Sequence, residues 1–254
     1  MISIQKTNVV LLPLTHVALM ILALAFPQFF FWFLGAAAVF TDILVGMMLP
    51  KNHSRSALFV AAWPPFILIL STFGLLFIVE YDFLKHAILG LNALMQFLYA
   101  LNLYYFYYRS QDYQRRSFLH MNSLMQTLSF FSVSSVAFGL HYYAVAHPFF
   151  IFAPYISAIC IFVLHSFLLH EQPIKAQRLV IASMCLLLVE SSFALHLLPS
   201  MYYMNAYIIT LVYVIILQLL MSSLRNELTR SQITTSVLLA LGMLLLLVIV
   251  QFWK

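Results

Sequence analysis

Long apolar stretches run along nearly the whole chain, broken at intervals by prolines, charges and small polar clusters. None of them alternates apolar and polar residues with a period of two, as a barrel strand would. Most reach the roughly 20 residues that a helix needs to cross a bilayer. The breaks predict nine helical spans, at 8–26, 29–49, 57–79, 83–108, 118–145, 148–169, 177–198, 201–224 and 234–253. Helices are the form open to such segments, because unpaired backbone in hydrocarbon is too costly. The connections are short, so consecutive spans are expected as antiparallel neighbours: four hairpins and a ninth span, in one transmembrane domain covering 1–254. The expected fold is all-α, a polytopic integral membrane helical bundle.

Charge orients the bundle. Lys6, Lys51, Arg55, Arg109, Arg115, Arg116, Lys175, Arg178, Arg225 and Arg230 precede the first span or lie in loops after even-numbered spans. They make up ten of the twelve Lys and Arg residues; the other two are Lys85 and Lys254. The positive-inside rule then places the N-terminus in the cytoplasm and the C-terminus outside. This points to a multi-pass cell-membrane protein, of the bacterial inner-membrane kind. Tyrosines 104, 105, 107, 108 and 113 crowd the cytoplasmic end of span four. Tyr142, Tyr143, Tyr202, Tyr203, Tyr207 and Trp253 gather near the outer face. Both sets read as interfacial belts.

Composition agrees with this pattern. Of the residues, 64% are apolar and 7% charged, which excludes a water-soluble domain. The net charge of +5 comes from the loops, and no basic run is long enough for nucleic-acid binding. Cys160 and Cys185 sit in apolar runs and read as small buried hydrophobes. Lys6, the following apolar run and Ala23-Leu24-Ala25 imitate a secretory signal, but His16 interrupts the run and Pro27 follows it closely. The run is therefore read as the first span.

Ionisable groups inside a membrane are functional candidates, because they are costly unless paired or neutral. Asp42 in span two and Glu190 in span seven qualify. At 1.5 Å per residue, His16 and Asp42 lie roughly 12 and 10 Å from the cytoplasmic ends of adjacent spans. They are expected to face each other, as a proton or cation relay or as a structural pin. Glu190 lies roughly 10 Å from the outer edge. Asn92, His141 and Asn205 fall at comparable depth, so an outward-opening polar chamber is one expectation and a protonated, hydrogen-bonded Glu190 the other. Asn92, Gln96 and Tyr99 share one face of span four, with Asn102 at its edge; Asn122, Gln126 and Ser129 share one face of span five. Such stripes glue helices together or line a groove between spans four and five.

Nine histidines invite a metal or haem reading. His86, His141, His147 and His196 fall near the outer face, and His53, His120, His165 and His170 near the cytoplasmic face. No two have the i, i+4 spacing of a helical metal site, so no metal and no cofactor is expected. Hydrolase elbows, zinc-protease helices, phosphate loops and voltage-sensor arginine runs are missing from the sequence. Pro13, Trp63-Pro64-Pro65 and Pro154 interrupt spans one, three and six; the double proline should kink span three.

The stretch from Glu190 to Tyr213 carries an intramembrane Glu, Leu198-Pro199 at the span end and a following span with Tyr202, Asn205, Tyr207 and Tyr213. It resembles a segment of an uncharacterised polytopic membrane protein family of candidate-phylum bacteria. That resemblance covers about a tenth of the chain and implies no activity. The sequence points first to a non-enzymatic membrane component: a scaffold, subunit or lipid-binding protein, with the bilayer, a lipid or another membrane protein as partner. A small proton-coupled carrier using Asp42, His16 and Glu190 is the alternative. An intramembrane lipid-modifying enzyme is the third class.

Overall fold

The computed structural model describes residues 2–50, 54–109, 115–143, 145, 147–197, 201–224, 229–230 and single positions between 234 and 245. Lys51, His53, Tyr113, Pro199, Arg225, Lys254 and most of the expected ninth span lie outside the described residues, as do the side chains of Arg115 and Arg116. Eight helices follow in order: α1 (Ile2–Ala25), α2 (Phe30–Met48), α3 (Arg55–Ile78), α4 (Asp82–Tyr108), α5 (Arg115–Tyr142), α6 (Pro148–Leu169), α7 (Ile174–His196) and α8 (Tyr202–Leu224). All eight are long and apolar enough to cross a membrane. Among the described residues there is no strand.

The ends of these helices follow from local chemistry. Ser54 accepts a hydrogen bond from the Ala57 amide at 3.2 Å and so caps α3. Asp82 opens α4 and pairs with Lys85 at 3.2 Å, an anion against the positive helix end. Pro148 starts α6, where its missing N–H has no carbonyl to serve. The far end of α6 turns through Glu171 at φ 55, with the amides of Glu171 and Gln172 reaching back to Leu168 and Phe167. Between α1 and α2 the turn at Pro27–Phe29 is a single 3-10 turn. The N-terminus of α1 reaches back to Ile2, earlier than the apolar run, because a helix need not stop where its hydrophobic stripe does.

The contacts cluster into two compact units, residues 1–136 and 137–254, and the boundary falls inside α5. In the first unit α1 packs on α2 and α4, while α3 packs on α2 and α4. The inward stripe of α1 runs Asn8, Leu12, His16 and Met20, at four-residue steps. Met20 joins Ala37 of α2, Ile69, Phe73 and Leu76 of α3, and Leu89 of α4 in one apolar cluster. Helix α3 is the most enclosed helix of the unit, and its Gly74 permits a close approach. A Cβ there would stand 2.8 Å from Cγ2 of Val136 on α5. In the second unit α7 packs on α6 and α8. Its core holds Phe138, Phe152, Tyr155, Ile159, Phe162, Phe167, Leu188 and Tyr213.

Candidate functional site: the intramembrane polar groups

Both prolines of Trp63-Pro64-Pro65 lie inside α3 without ending it. A proline lacks the N–H that would bond the carbonyl four residues back. Pro65 therefore leaves the Ala61 carbonyl without its helical donor. The Tyr99 hydroxyl of α4 supplies one, donating to Ala61 O at 2.7 Å. That hydroxyl has a single hydrogen, so Asn122 Oδ1 at 3.5 Å is a contact rather than a second bond. One turn away the Gln96 amide nitrogen donates to Pro65 O at 3.0 Å. A further turn on, Asn92 Nδ2 donates to Thr72 Oγ1 at 2.7 Å. The stripe of Asn92, Gln96 and Tyr99 is thus a seam that α4 presents to α3. Its Tyr99 end mends the gap that Pro65 opens at Ala61 O. Asn102, at the edge of the stripe, bonds within its own helix to Leu98 O.

The hydroxyls of the bundle fix the direction of each cross-helix bond. Thr41 donates to Ala37 O at 2.7 Å, Thr72 to Leu68 O at 2.7 Å and Ser166 to Phe162 O at 2.8 Å. Each hydrogen is spent one turn back on its own helix, so each oxygen can only accept from a neighbour. His16 Nε2, 2.9 Å from Thr41 Oγ1, must then carry the hydrogen. Tyr213 likewise donates to Ser166 at 2.9 Å, between α8 and α6. Asn92 and Gln96 each have the amide nitrogen committed, which leaves Asn92 Oδ1 and Gln96 Oε1 as buried acceptors without a donor. His16 Nδ1 is a third. A buried acceptor left unpaired costs about 1–3 kcal/mol.

The expected His16–Asp42 pair does not form. Thr41, one residue earlier, takes the place beside His16, and Asp42 is exposed. Successive helical residues are about 100° apart. The face of α2 that carries Ala37, Thr41, Leu44, Val45 and Met48 is the buried one, and Asp42 turns away from it. A neutral hydroxyl also meets a buried imidazole at far lower desolvation cost than a carboxylate would.

Glu190 is exposed too, on a face of α7 with Leu186, Leu187, Phe193 and Leu197. Of the residues expected at its depth, Asn205 is buried on α8, and Asn92, in the first unit, is bonded to Thr72. His141 is half-buried against His196, their ring centroids 3.7 Å apart and their planes at 69°. Phe152 closes on both imidazoles, at 6.0 and 4.8 Å. Among the described residues no group of three or more His, Cys, Asp or Glu is placed to hold a metal ion.

Two associations escape the sequence reading. His141 and His196 come from different helices and share no spacing signal, although both were placed near the same face. Cys160 and Cys185, read one at a time as small hydrophobes, are free, half-buried neighbours across α6 and α7. Equal depth on adjacent antiparallel spans was the one available clue. His165, expected near the cytoplasmic face, is fully buried in α6.

Taken together, the eight apolar helices are compatible with a multi-pass membrane protein whose buried polar side chains, among the described residues, are amides, hydroxyls and imidazoles. No family model, curated protein or solved structure matches this chain.

Proposed function

We propose that the protein is a non-enzymatic component of a bacterial inner membrane, a subunit or scaffold whose two intramembrane acids face a partner. The observation that carries this reading is the outward position of both carboxyls. Asp42 lies on one stripe of α2 with Phe31, Gly35 and Val39, all of them exposed. Phe31, Trp32, Gly35, Ala36, Val39 and Phe40 line an apolar groove of about 640 Å³ on that side. Glu190 stands among exposed leucines and Phe193. An ionised carboxylate facing lipid at mid-membrane costs about 2.5–3.5 kcal/mol on insertion scales. A partner that offers a hydrogen-bond donor or a cation at those depths removes that cost. A carrier would instead hold its acid inside the bundle, where His16, Asn92 and Gln96 lie. The basic loops support a cytoplasmic N-terminus.

Native mass spectrometry of the chain extracted in mild detergent tests the reading. Wild type is expected to carry an added polypeptide or lipid mass, which Asp42→Asn or Glu190→Gln loses while its melting temperature holds or rises. A bare wild-type monomer, confirmed by cross-linking in intact membranes, overturns the proposal. So does a pair of neutral variants that keep every partner.

A further inference from the structure

Three of the buried polar atoms left without a partner in the first unit are acceptors on α1 and α4, which pack on each other. Met20, Ala37, Phe73 and Leu89 pack in a common apolar cluster. One helical turn from Met20, Ala37 and Leu89, in the same direction through the unit, stand His16 on α1, Thr41 on α2 and Asn92 on α4. His16 is fully buried, Thr41 is fully buried, and Asn92 is 3% exposed. Gln96, also fully buried, follows one turn further along α4. The apolar cluster is therefore floored by a polar layer, and that layer offers lone pairs without hydrogens.

The hydroxyl bonds of the neighbours assign those lone pairs. Thr41 and Thr72 have spent their hydrogens on Ala37 O and Leu68 O, so they can only accept. His16 Nε2 and Asn92 Nδ2 must donate to them. The Gln96 nitrogen faces a carbonyl, Pro65 O, and must donate as well. Turning either amide over would set oxygen against an oxygen that has no hydrogen to give. What remains is one imidazole nitrogen and two amide oxygens, all acceptors and all buried.

We propose that this layer is a binding site for water, held by hydrogen bonds donated to His16 Nδ1, Asn92 Oδ1 and Gln96 Oε1 by at least two molecules, since one water has two hydrogens: one bridges His16 Nδ1 and Asn92 Oδ1, and a second serves Gln96 Oε1. The guest has to donate, because the site contributes only lone pairs. It has to be neutral, because no carboxylate of the described residues is buried in this unit to balance a cation. It has to be small, because the side chains around it are nearly or fully enclosed. Water meets all three conditions and is the common companion of buried polar groups that lack a protein partner. The sequence stripe and the site thus have a joint meaning. The nitrogen ends of Asn92 and Gln96 hold α3, and their oxygen ends hold the guest.

The test is water-edited solid-state NMR of the full chain, labelled with ¹⁵N-histidine and ¹⁵N-asparagine and reconstituted in lipid vesicles. His16→Gln identifies the His16 signal by its loss. Magnetisation from water is expected to reach the unprotonated His16 Nδ1 as readily as it reaches an exposed histidine. In the Asn92→Leu, Thr72→Val double variant, which removes both partners of that bond together, the transfer should fall several-fold. A folded wild type whose His16 nitrogen receives nothing from water overturns the proposal. So does a His16 protonated at Nδ1 in neutral buffer, since that nitrogen would then be a donor. Unchanged transfer in a folded double variant overturns the shared site. If the double variant does not fold, the two wild-type measurements decide.

Discussion

Helices α3 and α6 both contain proline beyond their first turn, and the protein treats the two differently. In α6, Pro154 removes the donor for the carbonyl of Phe150, a residue in the first helical turn and largely exposed. At that end of the helix water or lipid headgroups can serve the carbonyl, and no described side chain is spent on it. In α3 the double proline sits about 15 Å into the helix, within a stretch where Ala61, Ala62, Pro64, Pro65, Ile67, Leu68 and Ile69 are all buried. There the carbonyl of Ala61 has no solvent to turn to, and α4 supplies Tyr99. The same covalent defect needs no side-chain partner at an exposed helix end and takes one, Tyr99, in a buried helix interior. Depth decides which.

The largest effect expected from this contrast is at Tyr99. Tyr99→Phe keeps the ring and removes the hydrogen that Ala61 O receives, so it should destabilise the chain by about 1–3 kcal/mol. Pro65→Ala gives position 65 an N–H and returns to Ala61 O its own helical partner. In that background Tyr99→Phe should cost less than about 0.5 kcal/mol. Denaturant titrations of the four proteins of the cycle measure the coupling. Additive effects would mean that the hydroxyl does something other than mend the proline gap.

A smaller effect is expected in the second unit, where the cross-helix bond from Tyr213 to Ser166 mends nothing. Both residues are buried, and the Phe162 carbonyl that Ser166 bonds already has an amide partner in its helix. Ser166→Ala removes the acceptor of the Tyr213 hydroxyl and should cost about 1–2 kcal/mol. The double variant Ser166→Ala, Tyr213→Phe should recover most of that loss, since it removes both members of the pair. If the double variant were as unstable as the single, the loss would come from packing rather than from this hydrogen bond.

Much of this was legible along the chain. Eight of the expected spans have a helix at their place, because apolar length and charged breaks set them directly. The face shared by Asn92, Gln96 and Tyr99 follows from helical periodicity alone. What periodicity does not carry is rotation. His16 and position 41 or 42 lie at matching depth, but which of the two turns inward is decided by the packing of Ala37, Leu44, Val45 and Met48 against the neighbouring helices. A hundred degrees of rotation separates a buried threonine from an exposed aspartate. Glu190 shows the same limit on α7. The partner of the span-four stripe was misjudged in part for a related reason. Three of its hydrogen bonds go to α3, where Pro65 creates one carbonyl that needs a donor, whereas α5 meets Tyr99 through the longer approach of Asn122 and the ring of Phe118. A proline read as a kink is also a statement about which neighbour must carry a donor.

The smallest expected effect is the one that sharpens the contrast most. Pro154→Ala supplies an N–H to a carbonyl that lies at an exposed helix end, so the folded state gains a bond that solvent already provided. The substitution also frees the unfolded backbone at position 154, which offsets part of that gain. The two terms nearly cancel, and the midpoint of denaturation should move by the equivalent of less than about 0.5 kcal/mol. Pro65→Ala by itself differs in kind. There the new amide competes with the Tyr99 hydroxyl for Ala61 O at 2.7 Å, so Tyr99 must share the carbonyl or give up its bond. The O–H stretch of Tyr99, isolated by difference infrared spectra against Tyr99→Phe, should shift towards a weaker hydrogen bond in Pro65→Ala. The tyrosine spectrum should stay unchanged in Pro154→Ala, since no tyrosine serves the carbonyl that this variant satisfies. A large stability change in Pro154→Ala would mean that Phe150 O is enclosed after all, and depth would no longer separate the two helices.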